Sequence, residues 1–386
     1  MKPLKERLSE KAAINRVPLM SAFELLPVCN LNCKMCYVRK SMSEVKRTGG
    51  LKDAAWWLNL AAQARDEGML FPLLTGGEPF LHPQFFEILE GLIGMGMQPS
   101  INSNGTLITR EVAEKLSVHR PLRINLTLYG ASEAAYKRLC GDGSAFHRVR
   151  EAVALLKEYG IPVKFNASIT PDNVDDLEAI IAYAKSQGSP VQVATYMFPP
   201  IRRDESMVGR NARLTPEEAA LARVRADYLQ NEPEWFCSVA RSFSRFVPLD
   251  QLAQHRKPET ELGMRCRAGV CSFWVDWQGN LMNCGMYPSV KLDLADSFHD
   301  KWKELTELTA AVRHKPGCAG CPNIGLCHSC IAMVSNECGD VNGTPEYLCR
   351  MNEAAARLYN EFARKYYPDI QPDVNVDPQS QDSCEL

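Results

Sequence analysis

The chain has 386 residues, of which 45% are hydrophobic, and 44 basic and 46 acidic side chains give a formal net charge of −2. This composition supplies a sizeable core and excludes disorder over most of the chain. Because the charges nearly balance and no stretch approaches the ~20 apolar residues of a membrane span, we expect neither nucleic acid nor a membrane as partner.

The chain begins with the polar segment MKPLKERLSEK, which is unlike a secretory signal. We therefore expect a cytoplasmic protein. In a reducing compartment, the 15 cysteines would serve as metal ligands in preference to disulfides.

Between residues 20 and 230, short apolar runs alternate with longer segments of helical spacing. We predict strands within residues 23–28, 70–75, 99–103, 124–128, 163–169 and 191–196. Helices are predicted over residues 52–67, 83–95, 148–159 and 176–187. Six strand–helix units predict an α/β fold of parallel strands with right-handed crossovers. The periodicity leaves open whether the sheet is doubly wound or a partial barrel.

The distribution of the cysteines along the sequence indicates how the chain is divided into domains. We predict a first domain over residues 1–230, a poorly patterned linker over 231–265, a cysteine-rich domain over 266–367, and a disordered tail over 368–386.

Cys29, Cys33 and Cys36 follow the first predicted strand in the pattern CxxxCxxC. In a parallel α/β fold, this loop lies at the carboxyl edge of the sheet, where such folds place chemistry. Three thiolates can hold one metal centre. The alternatives are a zinc site completed from elsewhere, three buried thiols, or a [4Fe–4S] cluster with one open iron.

Polar turns follow the next three strands. The second strand ends in Gly76-Gly77-Glu78-Pro79, where glycines would let a ligand approach the backbone and Glu78 would accept from a cation. The third ends in the segment NSNGT at 102–106, whose short side chains suit ribose hydroxyls, and the fourth in TLYGAS at 127–132. Each could be only a turn. Their positions at successive strand ends indicate one site at one edge.

Together, CxxxCxxC, GGEP, SNGT and LTLYGAS resemble the radical S-adenosylmethionine (SAM) superfamily over about residues 20–230. The resemblance implies a partial (β/α)6 barrel and a [4Fe–4S] cluster that binds SAM at its open iron. One electron would then cleave the sulfonium, and the resulting 5′-deoxyadenosyl radical would abstract hydrogen from the substrate.

The resemblance also implies residue roles. The cluster ligands would be Cys29, Cys33 and Cys36, and the cofactor-binding residues would be Met35, Tyr37, Gly76, Gly77, Glu78, Ser103, Asn104, Thr127 and Arg138. Among these, the Gly76-Gly77-Glu78 turn would receive the methionine ammonium, Ser103 and Asn104 the ribose, and Thr127 and Arg138 the carboxylate. Met35 stands where the family often has an aromatic residue against adenine, with Tyr37 just after.

Nine further cysteines lie between residues 266 and 349, namely Cys266, Cys271, Cys284, Cys318, Cys321, Cys327, Cys330, Cys338 and Cys349. A hairpin is predicted between residues 273–275 and 281–282, with Gly279 in its turn. Nine cysteines suffice for two four-cysteine sites, which could be zinc knuckles.

This pattern resembles the SPASM domain, an extension of radical SAM enzymes that carries auxiliary iron–sulfur clusters. The resemblance implies a first auxiliary [4Fe–4S] cluster on Cys266, Cys271, Cys284 and Cys330, and a second on Cys318, Cys321, Cys327 and Cys349. Only two residues separate Cys327 from Cys330, where the family usually has three, so Cys338 is an alternative to Cys330. Such clusters could carry away the electron left after an oxidative bond-forming step.

SPASM enzymes mostly act on peptides. We expect a peptide maturase that forms a thioether or carbon–carbon crosslink in a ribosomally made peptide; the alternatives are a sulfatase-maturating (formylglycine-generating) enzyme and a non-redox zinc scaffold. The expected partners are the peptide, a reductant such as flavodoxin or ferredoxin, and a separate leader-recognition protein. Arg202 and Arg203 are candidates to contact an acidic leader, a substrate carboxylate or SAM. No catalytic residue is predicted.

Overall fold

A computed structural model describes residues 4–198, 213–257, 261–294, 297–314, 317–327 and 329–370. Its strands are β1 (Met20–Glu24), β2 (Phe71–Thr75), β3 (Ser100–Ser103), β4 (Arg123–Thr127), β5 (Val163–Ser168), β6 (Val191–Ala194), β7 (Ser272–Val275), β8 (Asn280–Cys284) and β9 (Tyr287–Asp293). Its α-helices are α1 (Leu4–Asn15), α2 (Met42–Arg47), α3 (Ala54–Asp66), α4 (Phe85–Gly94), α5 (Arg110–Val118), α6 (Glu133–Cys140), α7 (Ala145–Glu158), α8 (Leu177–Ser186), α9 (Pro216–Gln230), α10 (Pro233–Phe243), α11 (Leu252–His255), α12 (Phe298–Ala311), α13 (Ile331–Cys338) and α14 (Glu346–Tyr366).

The sheet order decides between the two predicted architectures. Within the described ranges the strands form one sheet in the order β6-β5-β4-β3-β2-β1-β7-β8-β9. Neighbours from β1 to β6 pair in parallel, and each strand is added on the same side of the previous one. A doubly wound sheet reverses its order at a switch point. Five crossovers in one direction, from β1 to β6, place the helices on one face, so the fold is a partial (β/α)6 barrel.

The two faces of this sheet differ in polarity. On the helix-covered face, Ile124, Leu126 and Phe165 are buried in the core. On the opposite face, Asn125 of β4 lies beside Lys164 of β5 in the parallel register. Because side chains alternate along a strand, the polar positions line the concave side of the barrel.

The predicted strands are confirmed, although the first is displaced. β1 ends at Glu24, four residues before the predicted run ends at Val28. The four predicted helices are also confirmed, and backbone dihedrals φ of +107°, +65° and +64° at Gly68, Gly160 and Gly188 support the glycine stops.

The cysteine-rich segment extends the same sheet. β7 pairs in parallel with β1, so that Met20 lies opposite Ser272. The predicted hairpin between β7 and β8 is confirmed, and Asp276 closes its turn by accepting hydrogen bonds from the backbone of Gln278 and Asn280. Residues after 266 therefore complete one edge of the barrel sheet.

The segment 231–265 differs from the unpatterned linker that we expected. It contains α10, whose Phe236 and Phe243 are buried, and Phe243 stacks on Tyr359 of α14 with ring centroids 4.9 Å apart. The apolar residues Phe236, Val239, Ala240 and Phe243 have helical spacing, which favours an amphipathic helix.

Two expectations fall outside the described residues. These are the loop with Arg202 and Arg203, and the predicted tail from residue 371 onward. In the ranges that are described, no helix combines the length and apolarity needed to cross a membrane.

Candidate active site

The loop that carries Cys29, Cys33 and Cys36 is held against the end of β2. Gly77 N donates to Leu26 O at 2.7 Å, and Glu78 N donates to Val28 O at 2.9 Å. A Cβ on Gly76 would lie 2.3 Å from Leu26 O, and one on Gly77 would lie 2.2 Å from Val28 O. The close approach that these glycines permit is thus made by the backbone leading into the cysteine loop, whereas we expected it to be made by a ligand.

Glu78 joins the second turn to the third. Its carboxylate is fully buried and accepts from Asn104 N at 2.8 Å, from Ser103 Oγ at 2.9 Å and from Phe80 N at 3.3 Å. Burial raises the pKa of Glu78 to about 7, and the three hydrogen bonds oppose that rise. Glu78, the predicted acceptor for the ammonium group, therefore lies beside Ser103 and Asn104, the predicted ribose residues, and is hydrogen-bonded to both.

Asn104 links this turn to the first cysteine. Its Nδ2 donates to Asn30 Oδ1 at 2.9 Å and lies 3.6 Å from Cys29 Sγ, while its Oδ1 accepts from Thr106 Oγ1 at 2.6 Å. Asn30 Nδ2 in turn donates to Thr106 Oγ1 at 2.8 Å. The sequence reasoning missed Asn30, although its position directly after Cys29 was the available signal.

The thiols of Cys29 and Cys33 each lie close enough to the Cys36 thiol to interact with it electrostatically. Burial raises the pKa of Cys29 to about 11, and the neighbouring Cys36 thiol contributes to that rise. Backbone N–H groups nevertheless point at the sulfurs, from Leu31 to Cys29 at 3.4 Å and from Arg39 to Cys36 at 3.3 Å. Half-buried thiols with N–H donors aimed at sulfur fit a group that is held by thiolates and displaces their protons on binding.

A fourth thiol lies beside this loop. Backbone N–H groups of Asn32 and Lys34 donate to the carbonyls of Cys140 and Leu139, both at 3.1 Å, which fixes the end of α6 against the loop. The Cys33 thiol donates to Cys140, which raises the pKa of Cys33 and lowers that of Cys140. Cys140 carries no predicted role, because nothing in its local sequence pattern distinguishes it.

The remaining predicted cofactor residues are more scattered. Met35 and Tyr37 are half-buried in the cysteine loop, and Thr127 is half-buried at the end of β4. Arg138 is exposed on α6, and its Nε donates to the Asp172 carbonyl at 3.1 Å. The structure thus places Arg138 beside the loop that follows β5, where Asp172 also pairs with Lys34 of the cysteine loop.

Four of the later cysteines surround one cavity. Cys318, Cys321, Cys327 and Cys349 all contribute to its lining. Burial, reinforced by the neighbouring thiols, raises the pKa of both Cys318 and Cys349 to about 12. A cavity lined by four thiols fits the donor set of a four-iron cluster. In the described ranges, no three cysteine, histidine or acidic side chains converge on the position of a single metal ion.

The other later cysteines separate into two neighbourhoods. Cys266 acts electrostatically on both Cys271 and Cys330, so these three lie near one another. Cys338 acts instead on Cys318 and Cys349. Cys284 lies at the end of β8, where its sulfur accepts from Met286 N at 3.4 Å. This distribution favours Cys330 over Cys338 as a companion of Cys266.

Comparisons with known proteins identify one family model and several relatives that are similar to this chain. Residues 23–184 match the model of the Radical SAM superfamily. An AdoMet-dependent heme synthase of Methanosarcina barkeri is 23% identical over 332 residues, covering 80% of this chain and 92% of that protein. The antilisterial bacteriocin subtilosin biosynthesis protein AlbA of Bacillus subtilis is 23% identical over 325 residues, covering 81% of this chain and 67% of that protein.

A solved structure supports the fold. The crystal structure of Streptococcus suis SuiB bound to S-adenosylmethionine superposes with a TM-score of 0.64 at 17% identity, covering 89% of this chain and 80% of that one. At this identity, the similarity establishes the architecture shared by the two chains.

Proposed function

Because residues 23–184 match the model of the Radical SAM superfamily, we propose that this chain is an enzyme that cleaves SAM and oxidatively modifies a peptide. The expected product is a thioether or carbon–carbon crosslink in a ribosomally made peptide. The observation that carries the proposal is the convergence of the Cys29 loop, Glu78 and Asn104 at the carboxyl edge of the barrel. Similarity to AlbA, a bacteriocin biosynthesis protein, over 81% of the chain supports the choice of a peptide.

In this proposal, Cys29, Cys33 and Cys36 hold a [4Fe–4S] cluster with an open iron for SAM. When bound and reduced, this pair supplies a 5′-deoxyadenosyl radical. The chain itself holds the cysteine loop with Gly76 and Gly77, shields it by burial, and directs an amide donor from Asn104 toward Cys29. Glu78, Ser103 and Asn104, with Met35, Tyr37, Thr127 and Arg138, remain the residues that we propose for SAM binding.

We further propose two auxiliary [4Fe–4S] sites in a SPASM-type segment over residues 266–367. The first uses Cys266, Cys271, Cys284 and Cys330, and the second uses Cys318, Cys321, Cys327 and Cys349. Their role is to accept the electron that remains on the product after the new bond forms. A flavodoxin or ferredoxin would deliver the initiating electron in the cytoplasm, and a separate protein would present the peptide leader.

The direct test is anaerobic reconstitution followed by iron and sulfide counting and by SAM cleavage. About twelve irons per chain and reductant-dependent release of 5′-deoxyadenosine are expected. A variant with Cys29, Cys33 and Cys36 all changed to Ala should retain about eight irons and release no 5′-deoxyadenosine. Continued SAM cleavage by this variant would refute the cofactor assignment, and zinc without sulfide in the wild type would favour the scaffold alternative.

Peptide chemistry is tested by mass spectrometry of candidate precursor peptides. Loss of two hydrogens indicates a crosslink, whereas a Cys that loses sulfur and gains oxygen indicates formylglycine and the sulfatase alternative. Heme synthesis is a second candidate, because the chain aligns with 92% of the length of the M. barkeri heme synthase. Formation of heme from a tetrapyrrole precursor, with no change in any peptide, would favour that candidate.

A further inference from the structure

One buried amide lies directly against the second auxiliary site. Asn352 of α14 is 3% exposed, and its Nδ2 donates to Cys327 Sγ at 3.3 Å and to Leu348 O at 2.8 Å. The reverse amide orientation would set Oδ1 against both the Leu348 carbonyl and the sulfur, so these two acceptors determine which end carries nitrogen. Asn352 therefore presents an N–H donor to a proposed cluster ligand.

The rest of this amide has no compensating partner. Asn352 Oδ1 is buried and accepts no hydrogen bond from any described residue. A buried acceptor left unsatisfied is unfavourable, and an apolar side chain of similar size would avoid that cost. A leucine at this place would lack two contacts of Asn352, the bond to the carbonyl of Leu348 on its own helix and the contact with Cys327, and only the second reaches the proposed cluster site.

Other polar groups act on the same four thiols. Cys327 Sγ lies 3.1 Å from Ser329 Oγ, whose hydroxyl can rotate to donate to a thiolate. Arg256 lines the same cavity and acts electrostatically on Cys321 and Cys349. Ser329 and Arg256 thus bring a hydroxyl and a positive charge close to these thiols. From helix α14, Asn352 contacts the sulfur of Cys327.

We propose that Asn352 is a positioning residue that raises the reduction potential of the iron–sulfur group held by Cys318, Cys321, Cys327 and Cys349, through its hydrogen bond to Cys327. The inference rests on the proposed function. Reduction adds one negative charge to the group, and a donor to a ligand sulfur stabilises the more negative state. In the step concerned, a C–X bond forms between the substrate radical and an X–H group, the proton passes to water, and one electron passes to the auxiliary groups. Asn352 would make the second site a stronger acceptor for that electron.

The test measures potentials in the full chain. Cys29, Cys33 and Cys36 are changed to Ala so that only auxiliary groups contribute to an EPR-monitored redox titration. Added to this background, Asn352→Leu keeps the size and removes the donor, while Asn352→Asp keeps the shape and replaces the donor with an acceptor. Asn360→Leu is the matched control, because Asn360 lies on the same helix and donates to the carbonyl four residues earlier, Ala356 O, at 2.8 Å.

One of the two midpoint potentials should fall in Asn352→Leu by about 59 mV, which is a tenfold loss in the one-electron equilibrium constant. It should fall further in Asn352→Asp and stay unchanged in Asn360→Leu. Eight irons with unmoved potentials in either Asn352 variant would overturn this inference alone. Fewer than about eight irons in the chain that lacks only the loop cysteines would overturn the auxiliary-cluster part of the proposed function, and this inference with it.

Discussion

At the scale of single residues, Glu78 combines full burial with an ionisable carboxyl group. Its carboxyl is inaccessible to solvent, and burial raises its pKa to about 7 although three donors point at it. Near neutral pH it therefore binds a proton in part of the population. An ammonium group bound at this edge would favour the charged form and would lower that pKa, which couples SAM binding to proton release in the proposed enzyme.

Glu78→Gln should change how stability depends on pH. The pKa of Glu78 is about 7 in the folded chain against an ordinary value of 4.5. The folded state thus gains stability from the bound proton below pH 4.5 and loses it as pH rises through 7, by about 3 kcal/mol. We expect the free energy of unfolding, wild type minus variant, to fall by that amount between pH 4.5 and 7.5 in urea titrations of the metal-free chain.

Glu111→Gln is the control for this measurement, because Glu111 is exposed on α5. The fall expected for Glu78→Gln should exceed any change that this control shows over the same pH range. A constant difference between wild type and Glu78→Gln would mean that the buried carboxyl does not titrate in this interval.

At the scale of elements, the cysteine loop depends on backbone contact with the turn after β2. Gly76 has a φ of +141° and Gly77 donates to Leu26 O, so the turn needs both a left-handed backbone and the absence of side chains. From the sequence, the two glycines of the GGEP motif predict close approach by a ligand, whereas in the structure the backbone of Leu26 and Val28 approaches them. Local pattern shows that two glycines are present, and only packing shows which backbone approaches them.

Gly77→Ala should displace the cysteine loop. The added Cβ would lie 2.2 Å from Val28 O, a backbone atom that cannot move without moving the loop. We expect the free energy of unfolding to fall by about 3 kcal/mol, and loop-bound iron to fall several-fold after reconstitution.

Gly94→Ala is the matched control, because a Cβ at Gly94 meets nothing within 4 Å at the end of α4. It should retain full iron and stability. Equal iron content in Gly77→Ala and Gly94→Ala would show that the close contact is not required.

At the scale of the whole molecule, the barrel and the cysteine-rich segment form one sheet and one core. Phe273 of β7 is fully buried, with ring centroids 6.3 Å from Phe23 of β1 and 5.0 Å from Phe298 of α12. Helix α14 also packs on α9 and α10. The barrel therefore packs against residues that follow its last strand by about 80 positions or more.

A fragment that ends at residue 265 should fail to fold cooperatively, because it would expose the β1 edge and the face of Phe23. In urea, the metal-free full chain should show a single transition by circular dichroism and tryptophan fluorescence, and the fragment a broad one or aggregation. Phe273→Ala in the full chain should lower the free energy of unfolding by about 3–5 kcal/mol. A fragment with a sharp transition of its own would identify two independent domains.

Local sequence pattern predicts the alternation of strands and helices, the position of the cysteine loop after β1, and the polar turns at successive strand ends. These features are local, since hydrophobic period, helix stops and turn residues are encoded within a few positions. No local pattern predicts the strand order that makes a partial barrel, the pairing of β7 with β1, or the contacts of Cys140 with Cys33 and of Asn352 with Cys327. Such contacts join residues that are distant in sequence, and only packing of the whole chain brings them together.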